Sequence, residues 1–238
     1  MKSSRRAFIK SSAALAAVAG SAALAGRTAS AGTDVARFRV LHASPDAPAV
    51  DVWVNRTRVA RSLLYTKFSS DWQYPAVTAV VRVYNAGSPF NSPPLFQKNV
   101  TFEIGQTYTL VLTGLIGQPN TPQAFDIVPF QDPPRPPAGT TTIRLAHVAP
   151  GIANVDLFSA ANEPFILDVG YKTAKAVDKP AGTYDLQVRL TGQPTPLFSI
   201  PPTNFPSGQT RTIYVFAPSQ NSAARALNET NTAPYVIR

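Results

Sequence analysis

The 238-residue sequence contains no cysteine. That absence excludes disulfide staples, thiolate metal sites, iron–sulfur clusters and cysteine nucleophiles together. Charged residues are scarce too, at 15%, low for a cytosolic enzyme. Glutamate occurs three times, at Glu103, Glu163 and Glu229, and histidine twice, at His42 and His147. Glycosidase chemistry needs two placed carboxylates, and none of these glutamates recurs at a repeated position. A Gly-x-Ser-x-Gly nucleophile elbow is absent, and so is a glycine-rich phosphate loop. No apolar run reaches the ~20 residues that cross a bilayer.

Proline, by contrast, is abundant, with 23 residues. It removes an amide donor and fixes φ, so this density disfavours long helices and favours short strands between turns. Hydrophobic residues make up 44%, which excludes wholesale disorder. The formal charge of +9 overstates the basic character. Lys2, Arg5, Arg6, Lys10 and Arg27 stand in the first 31 residues, which hold no acid; 17 basic and 13 acidic residues remain. The remaining excess is scattered apart from Arg56, Arg58 and Arg61, and gives no support for a nucleic-acid partner.

The N-terminus reads Ser4-Arg5-Arg6-Ala7-Phe8-Ile9-Lys10, which resembles the twin-arginine export motif with Ile9 in the leucine slot. The uncharged stretch from Ser11 to Gly26 reads as the hydrophobic region of a signal peptide. Ala29-Ser30-Ala31 supplies a small-x-small cleavage site. The expectation is a signal peptide over 1–31, cleaved after Ala31, with export by the twin-arginine route. The destination is then periplasmic, cell-surface or secreted, and the mature chain has no transmembrane anchor.

An internal repeat is the most informative feature. Phe38-Arg39-Val40-Leu41-His42-Ala43-Ser44-Pro45 through Val50-Asp51-Val52 matches Ile143-Arg144-Leu145-Ala146-His147-Val148-Ala149-Pro150 through Val155-Asp156-Leu157, displaced by 105 residues. Pro75-Ala76 and Pro180-Ala181 keep that displacement, as do Gly87 and Gly192. Pro94-Leu95-Phe96 with Pro196-Leu197-Phe198, and Gly105-Gln106-Thr107 with Gly208-Gln209-Thr210, follow after a small contraction. Each block alternates with period two: Val50, Val52 and Val54 against Asp51 and Trp53. The expected fold is all-β, two tandem antiparallel β-sandwich domains of immunoglobulin-like size over 32–136 and 137–238. The Pro-rich run from Asp132 to Pro137 is the natural linker, semi-rigid in character.

The opening run Arg39-Val40-Leu41-His42-Ala43-Ser44-Pro45-Asp46-Ala47-Pro48-Ala49-Val50-Asp51-Val52 resembles that of the DUF4397 family. Pro180-Ala181-Gly182-Thr183-Tyr184 and Gly105-Gln106-Thr107-Tyr108-Thr109 resemble its later elements. The likeness covers nearly all of 37–238 and departs at Val77, Gly151 and Arg211. It implies extracellular domains, often in tandem, and it implies no function, because a fold does not fix one.

Chemistry has few places to reside. Each histidine is followed nine residues on by an aspartate, giving the pairs His42–Asp51 and His147–Asp156. A secreted hydrolase or metal-dependent enzyme would use them as acid–base units or metal ligands. The reading adopted is a brace around the proline turn, with imidazole hydrogen-bonded to carboxylate, and the enzyme is the alternative. Metal binding would need more ligands than one histidine and one aspartate per copy. Ser44 beside His42 invites a Ser-His-Asp triad, but Ala149 replaces it in the second copy. No catalytic residue, metal ligand or cofactor is therefore assigned.

A binding surface is easier to place. Residues 65–74 concentrate aromatics beside Arg61 and Lys67, and exposed aromatic faces suit sugars, peptides or polymers. Val177 stands where the first copy has Trp72, which points to a core role for that tryptophan. Phe68 and Tyr74, with Arg61 and Lys67, are the candidate surface. The functional expectation is an exported, non-enzymatic module of the cell envelope or extracellular space, structural, adhesive or ligand-binding. Its partner would be a cell-surface polymer, glycan or protein.

Overall fold

A computed structural model describes residues 34–219 and the backbone of 235–237. The leader, with Arg5, Arg6 and Ala31, lies outside the described residues. Strands β1 (Val35–His42), β4 (Trp72–Pro75), β7 (Thr107–Thr113) and β8 (Asp126–Gln131) form one sheet in the order β4-β1-β7-β8. Strands β2 (Val50–Val54), β3 (Thr57–Leu63), β5 (Thr78–Asn85) and β6 (Phe96–Thr101) form a second, ordered β3-β2-β5-β6.

The second half repeats this plan. Strands β9 (Thr140–His147), β12 (Thr173–Pro180), β15 (Thr210–Val215) and β16 (Tyr235–Ile237) form the sheet β12-β9-β15-β16. Strands β10 (Val155–Ser159), β11 (Pro164–Val169), β13 (Gly182–Leu190) and β14 (Pro196–Phe205) form β11-β10-β13-β14. Registers repeat with the order: Phe38 pairs with Trp72 and Ile143 with Val177, while Val50 pairs with Asn85 and Val155 with Leu190. The fold is all-β, with no helix among the described residues. Most pairings are antiparallel, but β1–β7 and β9–β15 run parallel.

Each half is a sandwich whose sheets bury their facing residues. Val50, Val52 and Val54 turn inward against Phe38, Val40, Leu110 and Leu112, all essentially buried. Val155 and Leu157 meet Ile143, Leu145, Ile213 and Val188 in the second core. Trp72 packs on the first core and Val177 on the second, as their shared position implies.

A third apolar cluster joins the halves. Leu41, Val111 and Phe130, on the outer face of the β4-β1-β7-β8 sheet, pack against Ala146 and Tyr214 of the β12-β9-β15-β16 sheet. These central strands are therefore covered on both faces, which is why β7 and β9 are buried along nearly their whole length and β1 and β15 toward their C-terminal ends. Two polar residues of the first half bond across the seam. Thr113 Oγ1 donates to the Val148 carbonyl at 2.7 Å, and the Tyr65 hydroxyl donates to Ala217 at 2.5 Å.

Candidate functional site

His42 ends β1 where the chain leaves one sheet for the other. Its ring is fully buried, with Nε2 2.9 Å from the Pro48 carbonyl and Nδ1 3.4 Å from the Ser44 amide. One neutral tautomer satisfies both contacts: Nε2–H donates and Nδ1 accepts. His147 repeats the arrangement, with Nε2 3.0 Å from the Ala153 carbonyl and Nδ1 3.3 Å from the Ala149 amide. Burial drives the His42 pKa down to about 4, against smaller upward pulls from the Pro48 carbonyl and Asp46. His147 is pushed down for the same reason.

The aspartates do not join them. Asp51 Oδ1 accepts the Ser62 amide at 2.7 Å, Oδ2 accepts Gly87 at 3.3 Å, and Arg58 stands 3.7 Å away. Asp156 Oδ1 accepts the Asp168 amide and the Thr191 hydroxyl, both at 2.7 Å. Ser62 and Asp168 have φ of 47° and 55°, beside register shifts in β2–β3 and β10–β11. Each carboxylate thus pins a bulge in an edge strand, whose unpaired amide would otherwise lack a partner. The expected imidazole–carboxylate bond is replaced by two separate braces to backbone groups. Ser44 Oγ lies 2.6 Å from the Gly114 carbonyl and 3.1 Å from Asp46, and it makes no bond to the imidazole.

The aromatic segment also divides. Phe68 lies in the seam, edge-on to Tyr214 at 5.6 Å and beneath the Arg39 guanidinium. Tyr74 packs on the first core near Phe38 and Phe102, and its hydroxyl accepts from Asn55 at 2.7 Å. Both rings are half-buried, in different clusters, so they do not make one exposed platform. Arg61 and Lys67 are exposed.

The seam brings together residues that the sequence reading left aside. Arg39 and Arg144, equivalent in the repeat, converge on one carboxyl group, that of Asp132 in the linker. Arg144 approaches at 3.2 Å and Arg39 at 3.7 Å. Burial raises the Asp132 pKa, and the two guanidinium groups oppose that rise. Beyond this trio the outer face opens into a cleft of about 360 Å³ lined by Arg37, Arg39, Asp71, Gln73 and Thr107. Thr107 also borders a larger cleft of about 620 Å³ that holds Asp132 and Arg135. The sequence signal was available: an arginine recurs at one position inside an apolar strand in both copies.

Fold and site together define a β-sandwich repeat whose histidine and aspartate positions brace turns and edges. Residues 36–158, from β1 into β10, match a domain of unknown function, DUF4397. The chain belongs to that family. No curated protein matches it. Among solved structures it is similar to the TIE protein of Bacillus anthracis, with 13% identity and a TM-score of 0.26. That similarity covers 77% of this chain but only 34% of the other, so the chain spans about a third of that protein's length. It is also similar to CBMbc, a family 26 module of Eubacterium rectale Amy13K solved with maltoheptaose, with 7% identity and a TM-score of 0.26. Here 85% of this chain and 96% of that one are covered. Structural agreement at this level assigns neither a ligand nor an activity.

Proposed function

We propose that this protein is an exported, non-enzymatic binding module of the cell envelope or extracellular space. One observation carries the reading. The residues with catalytic potential, His42, His147, Asp51 and Asp156, have polar atoms engaged in bracing contacts, whereas the cleft beside Arg39 keeps arginine, amide and hydroxyl donors open to solvent. A concave site with a few convergent polar groups is the default location for ligand binding. Export follows from the Arg5-Arg6 motif and the Ala29-Ser30-Ala31 cleavage site. Among the described residues no helix is long and apolar enough to cross a membrane.

Two measurements test this. Cell fractionation should find the Arg5→Lys/Arg6→Lys precursor retained in the cytoplasm, and undiminished export of that variant would refute the twin-arginine assignment. Co-sedimentation of the full chain with purified envelope material should be saturable. Absence of retention by envelope polymers, glycans or surface proteins would refute the binding role.

A further inference from the structure

Among the described residues the cationic groups of the seam exceed their carboxylate partners. Arg39 and Arg144 share one aspartate, so that trio keeps a net positive charge. The Arg39 contact is the looser of the two, and its Nε is buried with no hydrogen-bond partner. Its guanidinium is held over the Phe68 ring, 5.6 Å from the centroid, which fixes the plane from which its terminal nitrogens project. Arg37 lies two residues earlier on the same face of β1, exposed, and no ion pair or hydrogen bond engages its side chain among the described residues. Gln73 pairs with it across β1–β4 and Thr107 across β1–β7. Among the described residues Asp71 is the single carboxylate lining this cleft, and it is itself engaged in a contact.

We propose that this cleft binds an acidic polysaccharide, with Arg37 and Arg39 receiving its carboxylate or sulfate oxygens and Gln73 and Thr107 its hydroxyl groups. The proposal rests on the binding role above and names the ligand class for that site. Guanidinium forks match planar or tetrahedral oxyanions through paired N–H donors. The adjoining cleft, reached past Thr107, adds Arg135 and gives an extended chain room to continue along the linker. A polymer fits a cationic cleft that continues past Thr107 into a second, charge-balanced cleft holding Arg135 and Asp132 better than a small ion does.

The test uses the full chain throughout, so the basic leader is common to every sample. Affinity electrophoresis would be run in gels holding dextran sulfate, polygalacturonate or neutral dextran. Arg37→Gln and Arg39→Gln are compared with wild type and with Arg56→Gln, a neutralised surface arginine on the β2–β3 turn. Loss of one charged hydrogen-bonding group should weaken retention by the preferred polyanion about tenfold, and added salt should weaken the wild type. The sulfate and carboxylate gels identify which oxyanion is preferred, while neutral dextran should not retard the protein. Melting curves verify that each variant is folded, and Arg37→Gln, at an exposed position, serves if Arg39→Gln is not. Equal weakening by Arg56→Gln and Arg37→Gln, or none by either cleft variant, would overturn the site. Envelope binding that survives Arg37→Gln unchanged would overturn it too, leaving the binding role intact. Failure to bind any polymer or envelope material would overturn both.

Discussion

Acidification should destabilise this protein well before its carboxylates titrate, because His42 is buried as a neutral ring. In the unfolded chain its pKa returns to about 6.5, whereas in the fold it is held near 4. The sign follows from which state takes up the proton. Below about pH 6.5 the unfolded chain binds a proton that the folded protein refuses, so stability is complete above that pH and lost as pH falls toward 4. Across the whole window the loss is about 3 kcal/mol, and about 2 kcal/mol is already gone at pH 5. His147 shifts in the same direction and adds to it.

Urea unfolding from pH 7.5 to 4.5 measures this, with the imidazole proton resonances of His42 and His147 followed in parallel. The His42 resonance should titrate near pH 4, and unfolding should take up protons at the expense of stability between pH 6.5 and 5. Replacing His42 by Gln should lower stability at pH 7.5 and flatten the pH dependence. Equal stability at pH 7.5 and pH 5, or a His42 resonance titrating at 6.5, would refute the buried neutral ring.

Other outcomes follow from the braces and the seam. Asp51→Ala strands the Ser62 amide at a bulge and should cost about 1–3 kcal/mol, read as a lower urea midpoint; an unchanged midpoint would contradict the brace. Gly114 sits at φ 91°, where a β-carbon would collide with the Ala124 carbonyl. Gly114→Ala should therefore destabilise by more than the ~1 kcal/mol that the same replacement gains where the backbone allows it, and calorimetry would show it. Asp132→Ala leaves two arginines unopposed at the seam and should cost more than the ~1 kcal/mol of an exposed ion pair and less than the ~3–5 kcal/mol of a fully buried one; raising the salt concentration should restore part of the loss. Combining His42→Ala with Asp51→Ala should be additive within about 0.5 kcal/mol, because the two share no partner. A larger coupling would restore the histidine–aspartate pair.

What the sequence disclosed depended on whether a residue's role was local. Period-two alternation marked Val50, Val52 and Val54 as inward-facing, and the 105-residue displacement reappears in the registers of β1–β4 and β9–β12. The histidines stand out as repeated, yet spacing alone pairs them with the wrong acceptor. The acceptor that recurs at a fixed spacing is an aspartate, whereas the His42 ring meets the Pro48 carbonyl and the His147 ring the Ile152 and Ala153 carbonyls, inside the same turns. Backbone carbonyls are invisible to motif reading. Phe68 and Tyr74 failed as a pair for a related reason. A half-buried aromatic at a sheet edge looks identical in sequence whether it caps a core or faces water.

The least legible feature was the seam, and the repeat itself explains its chemistry. When two equivalent sheets meet face to face, residues on facing strands are brought near their own counterparts. Apolar residues tolerate this, as Leu41 with Ala146 and Val111 with Tyr214 show in the shared cluster. Arginine does not, since Arg39 and Arg144 carry like charges into a partly desolvated contact. The carboxylates that both repeats carry at one position, Asp51 and Asp156, are committed to bulges in β3 and β11. The linker runs once between the repeats. Asp132 stands there, immediately before the proline run, and one carboxyl group reaches both arginines. The linker is therefore an electrostatic part of the contact as well as a spacer. Asp132→Asn, which keeps the size and loses the charge, should therefore destabilise the contact, whereas Asp132→Glu, which keeps the charge in the linker, should retain most of the stability.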